Sequence, residues 1–275
     1  MRLLITGASG YVGAAILRRA PKAWTVAATC FTQTIARERV AVFCLDVRDA
    51  AAVQRAVSAF RPEAIIHTAA LMTGEAMFAV NVAGTRHVAR AATQCGARLV
   101  HLSTDVIFDG ENPPYTEAAL PTPIFPYGES KAQAERVARA ECPTALIVRT
   151  SLVYGFAPLD PRTRQVLAGE MPRLFTDEFR CPICVDDLAD ALLELAPLAG
   201  RVATLNVAGT QRLSRYDFGV ALARAFGSAP KFQPALSATH PARRPRDCTL
   251  DVTRAQNLLR VKLRGVDHVL ADRGR

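Results

Sequence analysis

The chain of 275 residues lacks any apolar run of membrane-spanning length that is free of charge or proline, so a transmembrane helix is not expected. The apolar stretch after Arg2 is broken by three glycines and reads as strand, turn and helix rather than as a signal peptide. Seven cysteines, an odd number without secretory spacing, argue against a disulfide scaffold and for reduced thiols in a cytoplasmic protein. Cys181-Pro-Ile-Cys184 has redox or metal spacing but no second pair or histidine cluster beside it, and no metal is expected. No period of self-similarity is present, which excludes a repeat architecture. Aromatic residues are scarce at 7%, and none interleaves with the densest basic cluster, Arg243-Arg-Pro-Arg246. The net charge of +9 is therefore read as a solvated surface that attracts a small anionic substrate, not as a nucleic-acid interface.

What is present is an alternation of apolar strand candidates and amphipathic helices, the pattern of a parallel sheet covered on both faces. Strands are expected at 2–6, 25–29, 41–45, 64–67, 99–102 and 145–148, with a return strand near 204–207. Helices are expected after Gly13, where Val12, Ile16 and Leu17 share a face, and over 50–60 and 76–95. The predicted fold is a Rossmann-type doubly wound α/β sheet. Residues 1–155, which open on the strand, the glycine-rich turn Gly7-Ala-Ser-Gly10-Tyr-Val-Gly13 and a helix, would form the NAD(P)-binding domain and 156–275 a smaller, interleaved substrate lobe.

Three segments carry chemistry. Gly7-Ala-Ser-Gly10-Tyr-Val-Gly13 links a strand to a helix. There Gly7 permits the tight turn, Gly10 a close approach to pyrophosphate, and Gly13 close packing of helix on strand, with the helix N-terminus facing the anion. The second segment is Ser103-Thr-Asp-Val-Ile-Phe-Asp-Gly110, expected just past a strand ending at Leu102, where parallel sheets place ligands. A hydroxyl there can orient a substrate carbonyl, although Ser, Thr and Asp also serve as turn residues. The third is Tyr127-Gly-Glu-Ser-Lys131. Four residues apart at the start of a helix, Tyr127 and Lys131 share a face. An ammonium beside a phenol lowers its pKa from about 10 toward the working pH, as a general acid requires. The chain has five Tyr and four Lys, and no other Lys has a Tyr four residues before it, so accidental spacing is a weak explanation.

With these motifs, and with Arg149-Thr-Ser-Leu-Val-Tyr-Gly155, Pro182-Ile-Cys-Val-Asp-Asp-Leu-Ala189 and Arg244-Pro-Arg-Asp-Cys-Thr-Leu-Asp251, the chain resembles the extended short-chain dehydrogenase/reductases, and among them the dTDP-4-dehydrorhamnose reductase family. The resemblance implies Thr104, Tyr127 and Lys131 as catalytic hydroxyl, acid and lysine. It implies a cofactor site made of Gly7, Ser9, Gly10, Tyr11, Val12, Gly13, Asp46, Val47, Thr68, Ala69, Ala70, Asn81 and Ser103, together with Tyr127 and Lys131. Substrate contacts are expected from Asp105, Val106, Phe108 and Arg244. Thr29-Cys-Phe-Thr32 offers no acid to pair with ribose hydroxyls, so NADP(H) is preferred and NAD(H) is the alternative; Arg37 or Arg39 would meet a 2′-phosphate.

The implied activity is reduction of a keto group on a nucleotide-activated deoxysugar. The implied partners are that substrate and a second copy of the chain, with no nucleic acid or membrane. The segment 71–80 lacks the acid-rich insertion of many rhamnose-pathway members, which leaves the sugar open, and Val106 stands where dehydratases carry Glu. The alternatives are a nucleotide-sugar epimerase and a non-catalytic NADP-binding regulatory subunit resembling that of methionine adenosyltransferase.

Overall fold

A computed structural model describes residues 1–35 and 38–273. A seven-stranded sheet is built from β1 (Arg2–Thr6), β2 (Thr25–Cys30), β3 (Val40–Cys44), β4 (Ala64–His67), β5 (Arg98–Thr104), β6 (Leu146–Thr150) and a return strand (Thr204–Asn206). Its order is return strand, β6, β5, β4, β1, β2, β3, and the pairings from β5 through β3 are parallel. With its flanking helices this is the Rossmann order 3-2-1-4-5-6 extended by one strand. The central strands are nearly continuous apolar runs because both of their faces are covered.

The helices are α1 (Tyr11–Arg19), α2 (Ala50–Phe60), α3 (Thr85–Cys95) and α4 (Pro126–Glu141). In α2 the buried residues Val53, Ala56, Val57 and Phe60 fall at steps of three and four, and the Asp49 side chain caps the first turn by accepting from the Ala52 amide at 3.0 Å. Gly96, at φ +69°, ends α3. Val53, Val57, Phe60, Val88 and Ala92 pack with Leu4, Ala27, Ile65 and Leu99 into one core cluster.

Three expectations are corrected. The single helix over 76–95 is interrupted, because Ala79–Gly84 winds as a π segment before α3 begins. The π turn brings Asn81 inward, where its Oδ1 accepts from the Leu71 amide and its Nδ2 donates to the Leu71 carbonyl, both at 2.8 Å. The strand expected to stop at Leu102 continues to Thr104, so Ser103 and Thr104 belong to the strand itself. Val12, placed on the apolar face of α1, is only half-buried.

The chain divides into two compact units that alternate along the sequence. The first comprises 1–103, 126–148 and 189–205, and the second 104–125, 149–188 and 206–275. Residues 104–125 thus cluster with the second unit although they precede 155, and 189–205 return to the first. The second unit is built from small strand pairs and short helices, including α5 (Pro161–Ala168), α6 (Val185–Leu195, shared with the first unit) and α7 (Arg215–Ala225). Around Tyr154 it gathers Cys184, Phe218, Leu222, Val266 and Val269. Among the described residues no helix is long and apolar enough to cross a membrane.

Candidate active site

In the first unit the strand order reverses between β1 and β4, and a crevice for ligands opens at the carboxyl ends of strands at such a point. Those ends carry the glycine loop and Thr68-Ala69-Ala70. Gly7 sits at φ +70°, and a Cβ there would lie 2.6 Å from the Ala69 nitrogen; one at Gly13 would run into the Gly7 carbonyl. Only hydrogen fits at either position. Thr29 latches the loop from β2, its Oγ1 accepting from the Gly7 amide at 3.3 Å and its carbonyl from the Ala8 amide at 3.1 Å. The Thr68 hydroxyl donates to the Thr6 carbonyl at 2.7 Å. Helix α1 starts at Tyr11, and its N-cap residue Gly10 has no side chain to cap the first turn. Ser9, Tyr11, Val12, Thr68 and Ala69 are part-exposed and Gly10 and Ala70 exposed. After β3, Asp46 is occupied by Arg48, which donates from its amide at 2.9 Å and its Nε at 2.8 Å and holds the carboxyl below its usual range. Val47 beside it is buried. Arg37 lies outside the described residues, and Arg39 is exposed.

Helix α4 supplies the second half of this unit's site. Lys131 is 3% exposed, and its Nζ donates to the Leu102 carbonyl at 2.8 Å and to His101 Nε2 at 3.4 Å. Burial pulls its pKa down to about 8, opposed by Glu135. Tyr127 stands one turn earlier on the same helix and is part-exposed. A ladder steadies that turn: Asn81 Nδ2 donates to Ser130 Oγ at 2.9 Å, and Ser130 Oγ donates to the Tyr127 carbonyl at 2.8 Å. The π segment and the Tyr127 turn are therefore tied by side chains. Beneath Lys131 lie two buried imidazoles 5.4 Å apart, His67 and His101. Burial and the nearby ammonium keep both neutral, with His67 lowered to about 3. His67 accepts at Nδ1 from the Thr6 hydroxyl (2.6 Å) and donates from Nε2 to Thr85 Oγ1 (3.1 Å), whose own proton goes to the Asn81 carbonyl (2.6 Å). Ser130, His67 and His101 were not anticipated as supports. Ser130 sits inside the Tyr-x3-Lys motif, but nothing in sequence places two distant histidines under one lysine. Ser103 Oγ is buried and unpartnered in the structure.

In the second unit the Thr104 hydroxyl donates to Asp105 Oδ1 at 3.2 Å. Asp105 turns inward, with Ser151 Oγ donating to Oδ2 at 2.6 Å and Arg180 Nε at 3.7 Å. Burial raises its carboxyl pKa against the pull of Arg180, Ser151 and Thr104. Phe108, expected among the substrate contacts, is fully buried, stacked on Tyr115 at 4.0 Å with the Arg149 guanidinium over it; its ring fills the interior of the unit instead of facing an open surface. Val106 is half-buried. Arg244 donates through Nε and Nη2 to the buried carboxylate of Glu178 and lies over the Phe175 ring. With Arg162, Arg173, Arg215 and His240 it lines a cavity of about 680 Å³. Arg162 and Arg173 come from the Pro- and Arg-rich segment 156–179. Arg215 gave no sequence signal, since it reads as an ordinary residue at the start of α7.

The RmlD substrate binding domain family matches residues 1–272 of the chain. A dTDP-4-dehydrorhamnose reductase of Mycobacterium tuberculosis is 33% identical over 264 residues, covering 89% of this chain and 82% of that protein. Methionine adenosyltransferase 2 subunit beta of Xenopus laevis is 29% identical over 244 residues, covering 82% of the chain and 72% of the subunit. The crystal structure of dTDP-4-dehydrorhamnose reductase from Bacillus anthracis in complex with NADP superposes with a TM-score of 0.83 at 24% identity, over 98% of this chain and 97% of that one, a likeness of fold.

Proposed function

The chain belongs to the RmlD substrate binding domain family, the dTDP-4-dehydrorhamnose reductases of the extended short-chain dehydrogenase/reductases, and from that membership we propose that it reduces the keto group of a nucleotide-activated deoxysugar with NADPH. It is an NAD(P)-dependent oxidoreductase of that type. The observation that carries the reading is the Lys131 ammonium, buried, anchored on the Leu102 carbonyl, and one turn from Tyr127 on α4.

The first unit is assigned the cofactor. Gly10 leaves space for the pyrophosphate, Gly7 and Gly13 let the loop close tightly, and the N-terminus of α1, whose cap residue Gly10 has no side chain, is assigned to face the anion. Ser9, Tyr11, Val12, Val47, Thr68, Ala69, Ala70, Asn81 and Ser103 line the remainder of the assigned site. Asp46 enters it beside its Arg48 pair. NADPH is preferred over NADH because β2 ends in Thr29-Cys30-Phe31-Thr32, without an acid for the ribose hydroxyls. When bound, the reduced nicotinamide supplies the hydride. Tyr127 then gives its proton to the new alkoxide oxygen, and the Lys131 ammonium favours the phenolate that remains. Thr104 is assigned the hydroxyl that orients the ketone, with Asp105 and Ser151 fixing its direction. The second unit is assigned the nucleotide sugar, its phosphates drawn to the arginine-lined cavity that includes Arg244. Val106 is kept as a substrate contact.

Oxidation of NADPH that depends on a dTDP-4-keto-6-deoxy sugar tests the proposal. Turnover lost in Tyr127→Phe with NADPH binding retained supports it; turnover unchanged in that variant overturns the assignment of the acid. The non-catalytic reading is not favoured, because the tyrosine and the lysine are both present.

A further inference from the structure

Two cysteines outside the proposed chemistry meet at the edge of the sheet. Cys30 is the last residue of β2 and Cys44 the last of β3, and they are partners in the parallel register. Neighbouring strands lie about 4.8 Å apart, inside the range of Cα spacings a disulfide spans. Residues paired in a parallel register present their side chains on the same face, and the two Sγ atoms are 3.5 Å apart as free thiols. Cys44 is exposed on the edge strand, whereas Cys30 is 3% exposed. One thiol can meet a reagent and the other waits behind it.

We propose that Cys30 and Cys44 form a reversible oxidation site whose reagent is a low-molecular-weight disulfide. The Cys44 thiolate attacks one sulfur of the reagent. Its S–S bond breaks, and one thiolate leaves and takes the proton that Cys44 released. Cys30 then gives up its proton and attacks Cys44 Sγ, closing the protein disulfide and expelling the second thiolate, which takes that proton. The protein loses two electrons and two protons, and the reagent becomes two thiols. Burial, and after it the neighbouring Cys44, push the Cys30 thiol up, which keeps Cys30 protonated and leaves the first attack to the exposed Cys44.

The site adjoins the glycine loop. Thr29, which precedes Cys30, holds the Gly7 and Ala8 amides, and the Cys30 carbonyl accepts from the Leu45 amide at 2.9 Å. Closing the sulfurs to a bond of about 2.05 Å draws the ends of β2 and β3 together beside that latch. The loss of one such hydrogen bond weakens NADPH binding by about three- to tenfold. This consequence rests on the proposed cofactor reading, whereas the oxidation site does not.

The test treats the native protein with glutathione disulfide, digests it with trypsin without reduction, and identifies linked peptides by mass spectrometry. The expected product joins residues 23–37 to residues 40–48, is lost on adding dithiothreitol, stalls as a glutathione adduct on Cys44 in Cys30→Ser, and is absent in Cys44→Ser. A linkage elsewhere, an adduct on Cys44 that never closes in the native protein, or no modification overturns the site. NADPH titration of both forms separates the two readings. Reduced protein that binds no NADPH counts against the cofactor proposal, and equal affinity of the two forms counts against the coupling through Thr29.

Discussion

At the scale of single residues, the most consequential feature is a lysine held where its charge is disfavoured. A surface lysine carries its proton to about pH 10.4, whereas burial brings Lys131 to about 8. Below about pH 8 the folded state bears a buried ammonium at a cost, and between about 8 and 10.5 the unfolded chain binds the extra proton, so stability rises with pH across that window. Lys131→Met is accordingly expected to gain on the order of 1–3 kcal/mol at pH 7, read from the urea midpoint, while losing NADPH-dependent turnover. If Lys131 supports Tyr127 as proposed, its ammonium is lost above about pH 8, and kcat is expected to fall there with the slope of one proton. The two imidazoles beneath it act in the same direction over a lower pH window. His67 is lowered to about 3 and His101 lies well below its ordinary value, so the stability they contribute is intact above about pH 6.5 and is lost as the pH falls toward those values. Urea unfolding at pH 7 and pH 5 is expected to show the loss, and to show less of it in His101→Gln, which cannot charge.

At the scale of elements, the π segment Ala79–Gly84 decides where the tyrosine turn rests. Asn81 makes three hydrogen bonds from one buried side chain, two to the Leu71 backbone and one to Ser130. Asn81→Ala leaves the Leu71 groups and Ser130 short of partners and is expected to cost about 2–4 kcal/mol in unfolding free energy, with a lower kcat in the folded protein. Asn81→Asp, which keeps the Leu71 amide bond but not the two donations, is expected to fall between the two. This element also marks the reach of periodicity. The apolar spacing over 76–95 reads as one helix because π and α turns both repeat every few residues, and a shift of one residue is invisible without the contacts that demand it. The end of β5 was hidden for a related reason, since Ser103 and Thr104 read as turn residues until pairing extends the strand through them.

At the scale of the whole molecule, the net charge of +9 predicts electrostatic attraction of an anionic sugar nucleotide, so kcat/KM is expected to fall with added salt while kcat holds, measured by steady-state kinetics between low and physiological ionic strength. The alternation of the units makes a further expectation: a fragment ending at residue 155 lacks 189–205, whose Leu192, Leu195 and Leu205 are buried and whose return strand covers β6, and it is expected to aggregate rather than give a cooperative unfolding transition. Much of this protein was determined by its sequence alone. The alternation of strands and helices, the glycine loop and the Tyr127–Lys131 spacing are local in the chain, because turn chemistry, helical spacing and strand polarity act over a few residues. The tertiary structure alone decided which distant residues share a site. His67 and His101 come from separate strands, Arg162 and Arg173, Arg215 and Arg244 from three separate stretches, and Cys30 meets Cys44 through sheet register. Those meetings depend on packing between segments far apart in sequence, and neither composition nor period records which side chains that packing brings together.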